Sequence, residues 1–98
     1  MIYEAALVNS TAIRLIGYNQ ETNTLRVIFR SGSGYDYSNV SVEVFEELLA
    51  AESIGTYFQL IRSTYQFERL SRVAAQDFLF SAIAQSESTR LQIEVEAA

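Results

Sequence analysis

A chain of 98 residues with a formal net charge of −5 has room for one domain, and 49% apolar against 19% charged residues give that domain ample core material. It contains no Cys, His, Lys, Trp or Pro, which excludes disulfides, zinc–thiolate sites, an imidazole general base, Schiff-base chemistry and a P-loop lysine. No run approaches the ~20 apolar residues of a membrane helix, and Met1-Ile2-Tyr3-Glu4 places an acid where a secretory signal has a basic patch, so a soluble cytoplasmic protein (or a virion protein, if phage-encoded) is expected.

In chain order, the Ile2–Val8 run suits a first strand. Residues 12–18 and 25–30 are rich in β-branched and aromatic residues and flank the polar cluster Asn19-Gln20-Glu21-Thr22-Asn23, which predicts a hairpin. In its second arm Leu25, Val27 and Phe29 alternate with Arg26, Ile28 and Arg30, so one face turns inward and a mostly basic face turns to solvent. Ser31-Gly32-Ser33-Gly34 makes a turn into a third strand at Tyr35–Tyr37. Ser41 is a suitable helix N-cap with Glu43 in the first turn, and Val44, Phe45, Leu48 and Leu49 recur at helical spacing. Ala51-Glu52-Ser53-Ile54-Gly55 breaks that helix, and a second runs from about Thr56 to Tyr65 with Phe58, Ile61 and Tyr65 on one face. Ala75, Phe78, Leu79, Ala82 and Ile83 mark a third helix, Gln85–Thr89 a polar linker, and the alternation of Leu91, Ile93 and Val95 a last strand.

The expected fold is therefore α+β: a three-stranded antiparallel meander packed by two helices, with an additional C-terminal helix and strand, all within a single domain spanning 1–98. Four stretches in this order and spacing resemble the KTSC domain over residues 10–70. They are Ala12–Tyr18 with Leu25–Phe29; Ser31-Gly32-Ser33-Gly34-Tyr35-Asp36-Tyr37-Ser38-Asn39-Val40; Phe45, Leu48, Ala51, Ser53 and Gly55; and Tyr57-Phe58 with Ile61-Arg62 and Tyr65. Ser41 and Gln59 stand where that family generally has Pro and Asn. The resemblance implies a small module found at the C-terminus of some lysyl-tRNA synthetases and as stand-alone bacterial and phage proteins, with no established biochemical function. Residues 73–98 fall outside it and form a C-terminal extension.

Two sets of candidate contact residues follow. Tyr35 and Tyr37 share one face of their strand, with Asp36 on the other. On an inner face they are core; on an outer face they form a stacking platform for RNA bases, with Arg26, Arg30 and Arg62 on phosphates. Arg62 has a second role open to it, an ion pair with Glu52 or Asp36. The net negative charge disfavours nucleic acid. In the extension, Phe80 falls off the helix stripe, and Leu91, Ile93 and Val95 are ready either to extend this sheet or to pair with a neighbour's edge. Glu43, Glu46 and Glu47 are a solvated helix face, not a metal site. The sequence thus points to a non-enzymatic protein-interaction or structural subunit, an assembly or phage-particle component among the options, that engages a protein partner or itself through its termini. No catalytic residues, cofactor or metal are expected, and an RNA-binding module is the alternative.

Overall fold

The computed structural model describes residues 1–85 and 90–96. Strands β1 (Ile2–Leu7), β2 (Ile13–Asn19), β3 (Thr24–Phe29) and β4 (Gly34–Tyr37) are followed by helices α1 (Val42–Ala50) and α2 (Ile54–Thr64). A short strand β5 (Phe67–Arg69), helix α3 (Arg72–Ala84) and strand β6 (Leu91–Glu94) complete the chain. The strands form one antiparallel sheet in the order β5-β4-β3-β2-β1-β6. The α+β class and the meander are as the periodicity predicts; three further strands widen the meander to six.

Local chemistry sets the element boundaries. The Ser41 hydroxyl accepts from the Val44 amide and the Ser53 hydroxyl from that of Thr56, so serine caps open both α1 and α2. Gly55 lies inside α2 rather than in the connection, because the Ser53 cap starts that helix two residues earlier than the apolar pattern suggests. Asn23, at φ 52°, takes the left-handed conformation that the tight β2–β3 turn requires. A register shift between Ile13 and Leu15 marks a bulge in β2. It allows Ile13 and Leu15, two residues apart, to face opposite sides of the sheet.

That bulge matters because both faces are buried. On one face Ile13, Ile16, Tyr18, Leu25, Val27 and Tyr37 pack with Phe45 and Leu48 of α1 and Phe58 and Ile61 of α2. On the other, Tyr3, Ala5, Leu15 and Ile28 pack with Ala75, Phe78 and Ala82 of α3 and with Leu91 and Ile93 of β6. The face expected to meet solvent is thus roofed by the extension. Gly17 makes room for that roof: a Cβ there would lie 2.8 Å from the Phe78 ring, which is itself held edge-on against Tyr3 at 5.2 Å between centroids. Gly34 serves the α3 entry in the same way, against Ile28, Leu70 and Ala75.

Gly17→Ala must therefore displace Phe78 or lift α3. A loss of about 1–3 kcal/mol is expected, read as a lowered urea midpoint at unchanged slope.

Candidate interaction surfaces

The basic face of β3 is not a solvent face. Arg26 is only 7% exposed. Its guanidinium lies 4.5 Å from the Tyr3 ring centroid and 4.8 Å from that of Phe78. Its Nε and Nη2 donate to the two Asp36 carboxylate oxygens at 2.8 and 3.0 Å, a bidentate pair between directly opposed residues of β3 and β4. Burial is the largest single influence and works against the Arg26 charge, but the Asp36 hydrogen bonds and the Asp36 charge together outweigh it, and the guanidinium pKa is raised. Burial likewise raises the Tyr3 phenol, with the Arg26 charge opposing. A groove of about 670 Å³ opens beside α3 onto this pair, lined among others by Thr24, Asp77 and Val95. Arg26 is thus corrected from a phosphate-contact candidate to a core cation whose hydrogen-bonding fork is already occupied.

Tyr35 and Tyr37 share a face as their alternation requires, and it is the face covered by α1 and α2. Tyr37 is 3% exposed, edge-on to Phe58 at 5.5 Å, and burial raises its phenol, partly offset by the Arg62 charge. Tyr35 is half-buried between Phe29 and Phe67. Neither is a free stacking platform. Arg30 is exposed and its Nε donates to the Ser10 carbonyl at 2.6 Å. Arg62 is exposed on α2; Asp36, one of its two expected partners, is taken by Arg26, and among the described residues Arg62 makes no ion pair. The structure therefore does not bring Arg26, Arg30, Arg62, Tyr35 and Tyr37 to one surface. In the acidic cluster of α1, Glu46 accepts from Arg90, and Glu47 accepts from the Tyr57 hydroxyl at 2.6 Å, which raises that phenol's pKa.

The tail pairs within its own chain. β6 runs antiparallel to β1, with Tyr3 opposite Ile93 and Ala5 opposite Leu91. Leu91 and Ile93 are buried under α3 and Val95 packs beside them, so of the two pairings open to this strand it takes the one that extends its own sheet, and these side chains are not available as partner contacts. Of the four tail candidates, Phe80 stays outside, 62% exposed, with Val73 and Ile83 on the outer side of α3. Arg90 ties the start of β6 to Glu4 of β1 and to Glu46 of α1. Residues 86–89 of the predicted linker lie outside the described residues.

The pattern left β5 unseen. Its three residues are all exposed at one edge of the sheet. Phe67 and Arg69 stand opposite Tyr37 and Tyr35, on the α1–α2 face, and the Arg69 guanidinium sits 5.9 Å from the Tyr35 ring centroid. The apolar–polar alternation of Phe67-Glu68 was the available signal, but three residues are too few to establish a period. At the opposite edge, Gln92 and Glu94 of β6 stand opposite Glu4 and Ile2, on the same α1–α2 face.

The model of the KTSC domain matches residues 9–65, more than half of the chain. The chain belongs to the KTSC domain family. Among its relatives, a lysine–tRNA ligase of Nostoc punctiforme is 40% identical over 62 residues, which are 62% of this chain and 11% of that protein. An uncharacterized protein of Stutzerimonas stutzeri is 39% identical over 54 residues, 55% of this chain and 76% of that one. This chain thus spans about a tenth of the ligase and most of the small relative. The crystal structure of a KTSC domain protein from Yersinia pestis superposes with a TM-score of 0.68 at 24% identity, covering 72% of this chain and all of the other. The residues matched by the KTSC model contain β2–β4 with α1 and α2, and β1, β5, α3 and β6 lie outside them. Among the described residues no helix is long and apolar enough to cross a membrane, and no group of acids is placed to hold a metal ion.

Removing one partner of the buried pair leaves the other stranded, so Asp36→Asn is expected to cost about 2–3 kcal/mol. Replacing both, as Arg26→Met with Asp36→Leu, should restore most of that loss, measured by urea denaturation of both variants.

Proposed function

We propose that this KTSC domain is a non-enzymatic structural subunit whose protein partner is another copy of itself. One observation carries this reading: among the described residues no further strand pairs with either outer edge of the sheet, and on the α1–α2 face the two edges present opposite charges, Glu68 of β5 being turned to the other face. β5 presents Arg69 beside the exposed Phe67, and β6 presents Glu94 and, just beyond it, Glu96. An uncovered strand edge is a row of unpaired amides and carbonyls, a template for another strand. Among the described residues, six of the eight large apolar side chains left exposed, Met1, Ile2, Phe67, Val73, Phe80 and Ile83, lie outside the family-matched segment, which supports contact through the added elements. The recurrence of the module in small uncharacterized proteins and in lysine–tRNA ligases also supports an accessory role over a catalytic one.

RNA binding has lost two of its five residues to the core, Arg26 and Tyr37. Titration of labelled single-stranded RNA at low salt is expected to give no saturable binding.

Light scattering over a wide concentration range tests the main reading. The mean mass of the full chain is expected to rise above that of a monomer as concentration increases. A monomer at every concentration would overturn it.

A further inference from the structure

The two edges match in more than charge. With six antiparallel strands, an even number, β5 and β6 run in opposite directions. A second copy placed beside the first in the same orientation therefore brings its β6 antiparallel to β5, and the ladder continues without reversal.

The backbone groups fit too. The Ser38 amide donates to the Gln66 carbonyl and the Leu70 amide to the Gly34 carbonyl, so residues 66, 68 and 70 turn their backbone groups toward β4. Phe67 and Arg69 are left pointing outward. At the other edge the Val95 amide donates to the Met1 carbonyl, so 91, 93 and 95 turn toward β1 and Gln92, Glu94 and Glu96 point outward; the Gln92 carbonyl accepts from Gln85 Nε2 at 3.0 Å, which leaves Glu94 and Glu96 as the positions for a new ladder. The side chains of Phe67 and Arg69 lie on the α1–α2 face, as do those of Gln92 and Glu94.

From this we infer that copies of the chain join head to tail through their sheet edges, β5 of one against β6 of the next, with Arg69 opposite Glu94 and Phe67 opposite Glu96. The inference rests on the self-association reading above and adds to it a register and a symmetry. In this register each opposed pair exchanges two backbone hydrogen bonds, and Arg69 meets a carboxylate as a cross-strand neighbour. Phe67 is covered by the stems of the two glutamates. The contact joins two different surfaces, so it is heterologous and does not close as a dimer. Strands rotate by roughly 20–25° each and lie about 4.8 Å apart. Six strands per copy then give a helical filament advancing about 29 Å and turning about 120–150° per copy.

The isologous alternatives are weaker. Two β6 edges bring Glu94 and Glu96 against their own kind. Two β5 edges leave Arg69 without an acid and both β6 edges still open.

Sedimentation of the full chain with Arg69→Glu, with Glu94→Arg, and with both in one chain tests the register; circular dichroism checks that each is folded. Wild type is expected to form species larger than a dimer. Each single reversal places like charges together and should raise the concentration needed for assembly about tenfold or more. The double reversal should restore assembly, and so should an equimolar mixture of the two single variants, because each supplies the edge that the other lacks. Added salt should weaken the wild-type contact. Association that both reversals leave intact, or that stops at a closed dimer, overturns this register while the self-association reading stands. If Phe80→Glu abolishes association and the edge variants do not, the contact is the outer side of α3 and the edge inference fails. A wild type that stays monomeric removes both.

Discussion

Strands with apolar side chains on both sides have to be covered on both sides, and β2 and β3 are such strands. Ile13, Ile16, Leu25 and Val27 face α1 and α2, whereas Leu15 and Ile28 face the other way. The residues matched by the KTSC model supply a roof for the first set only. The position of α3, the close approach at Gly17 and the use of β1 and β6 as additional floor all answer the demand made by the second set. The extension is therefore part of the domain's stability rather than an arm attached to a finished fold.

The same constraint accounts for the treatment of Arg26. A cation on a strand face about to be roofed must be neutralised or lose the burial around it. Asp36 on the adjacent strand neutralises it in bidentate geometry, and two aromatic rings complete its surroundings. Asp36 in turn stands opposite Glu68 of β5, so Arg26 also offsets a like-charge juxtaposition at the sheet's end. The packing around α3 and the charge balance of β4 and β5 thus meet at one guanidinium.

Much of this was legible in the sequence. Turn chemistry and short-range periodicity located β2, β3, β4, α1 and α3, and alternation put Tyr35 and Tyr37 on a common face. Where they failed, the missing information was non-local. Arg26 and Arg30 made a polar stripe that resembled a wet surface, although Ile28 between them argued otherwise; what covers that stripe lies about fifty residues further along the chain, in α3. Leu91, Ile93 and Val95 declared a strand without declaring its partner, because pairing in cis with β1 or in trans with a neighbour uses the same alternation. β5 is shorter than any period that could reveal it. At the candidate surfaces the residue types were visible, but which cations remained free was decided by tertiary ion pairing.

Arg90 shows what it takes to close the sheet. Its contact with Glu4 spans 86 positions of sequence, and the β1–β6 ladder it anchors spans nearly the whole chain. Contacts this distant along the chain carry the largest loop-closure entropy and form late relative to the hairpins and to the α1–α2 pair. The face under α3 is open until α3 docks, so Leu15, Ile28 and Phe78 are exposed together before then. A nascent or partly opened chain therefore displays an apolar sheet face that the finished molecule hides. The order in which its segments emerge and dock governs how long that face is available to a chaperone, a protease or another unfinished copy.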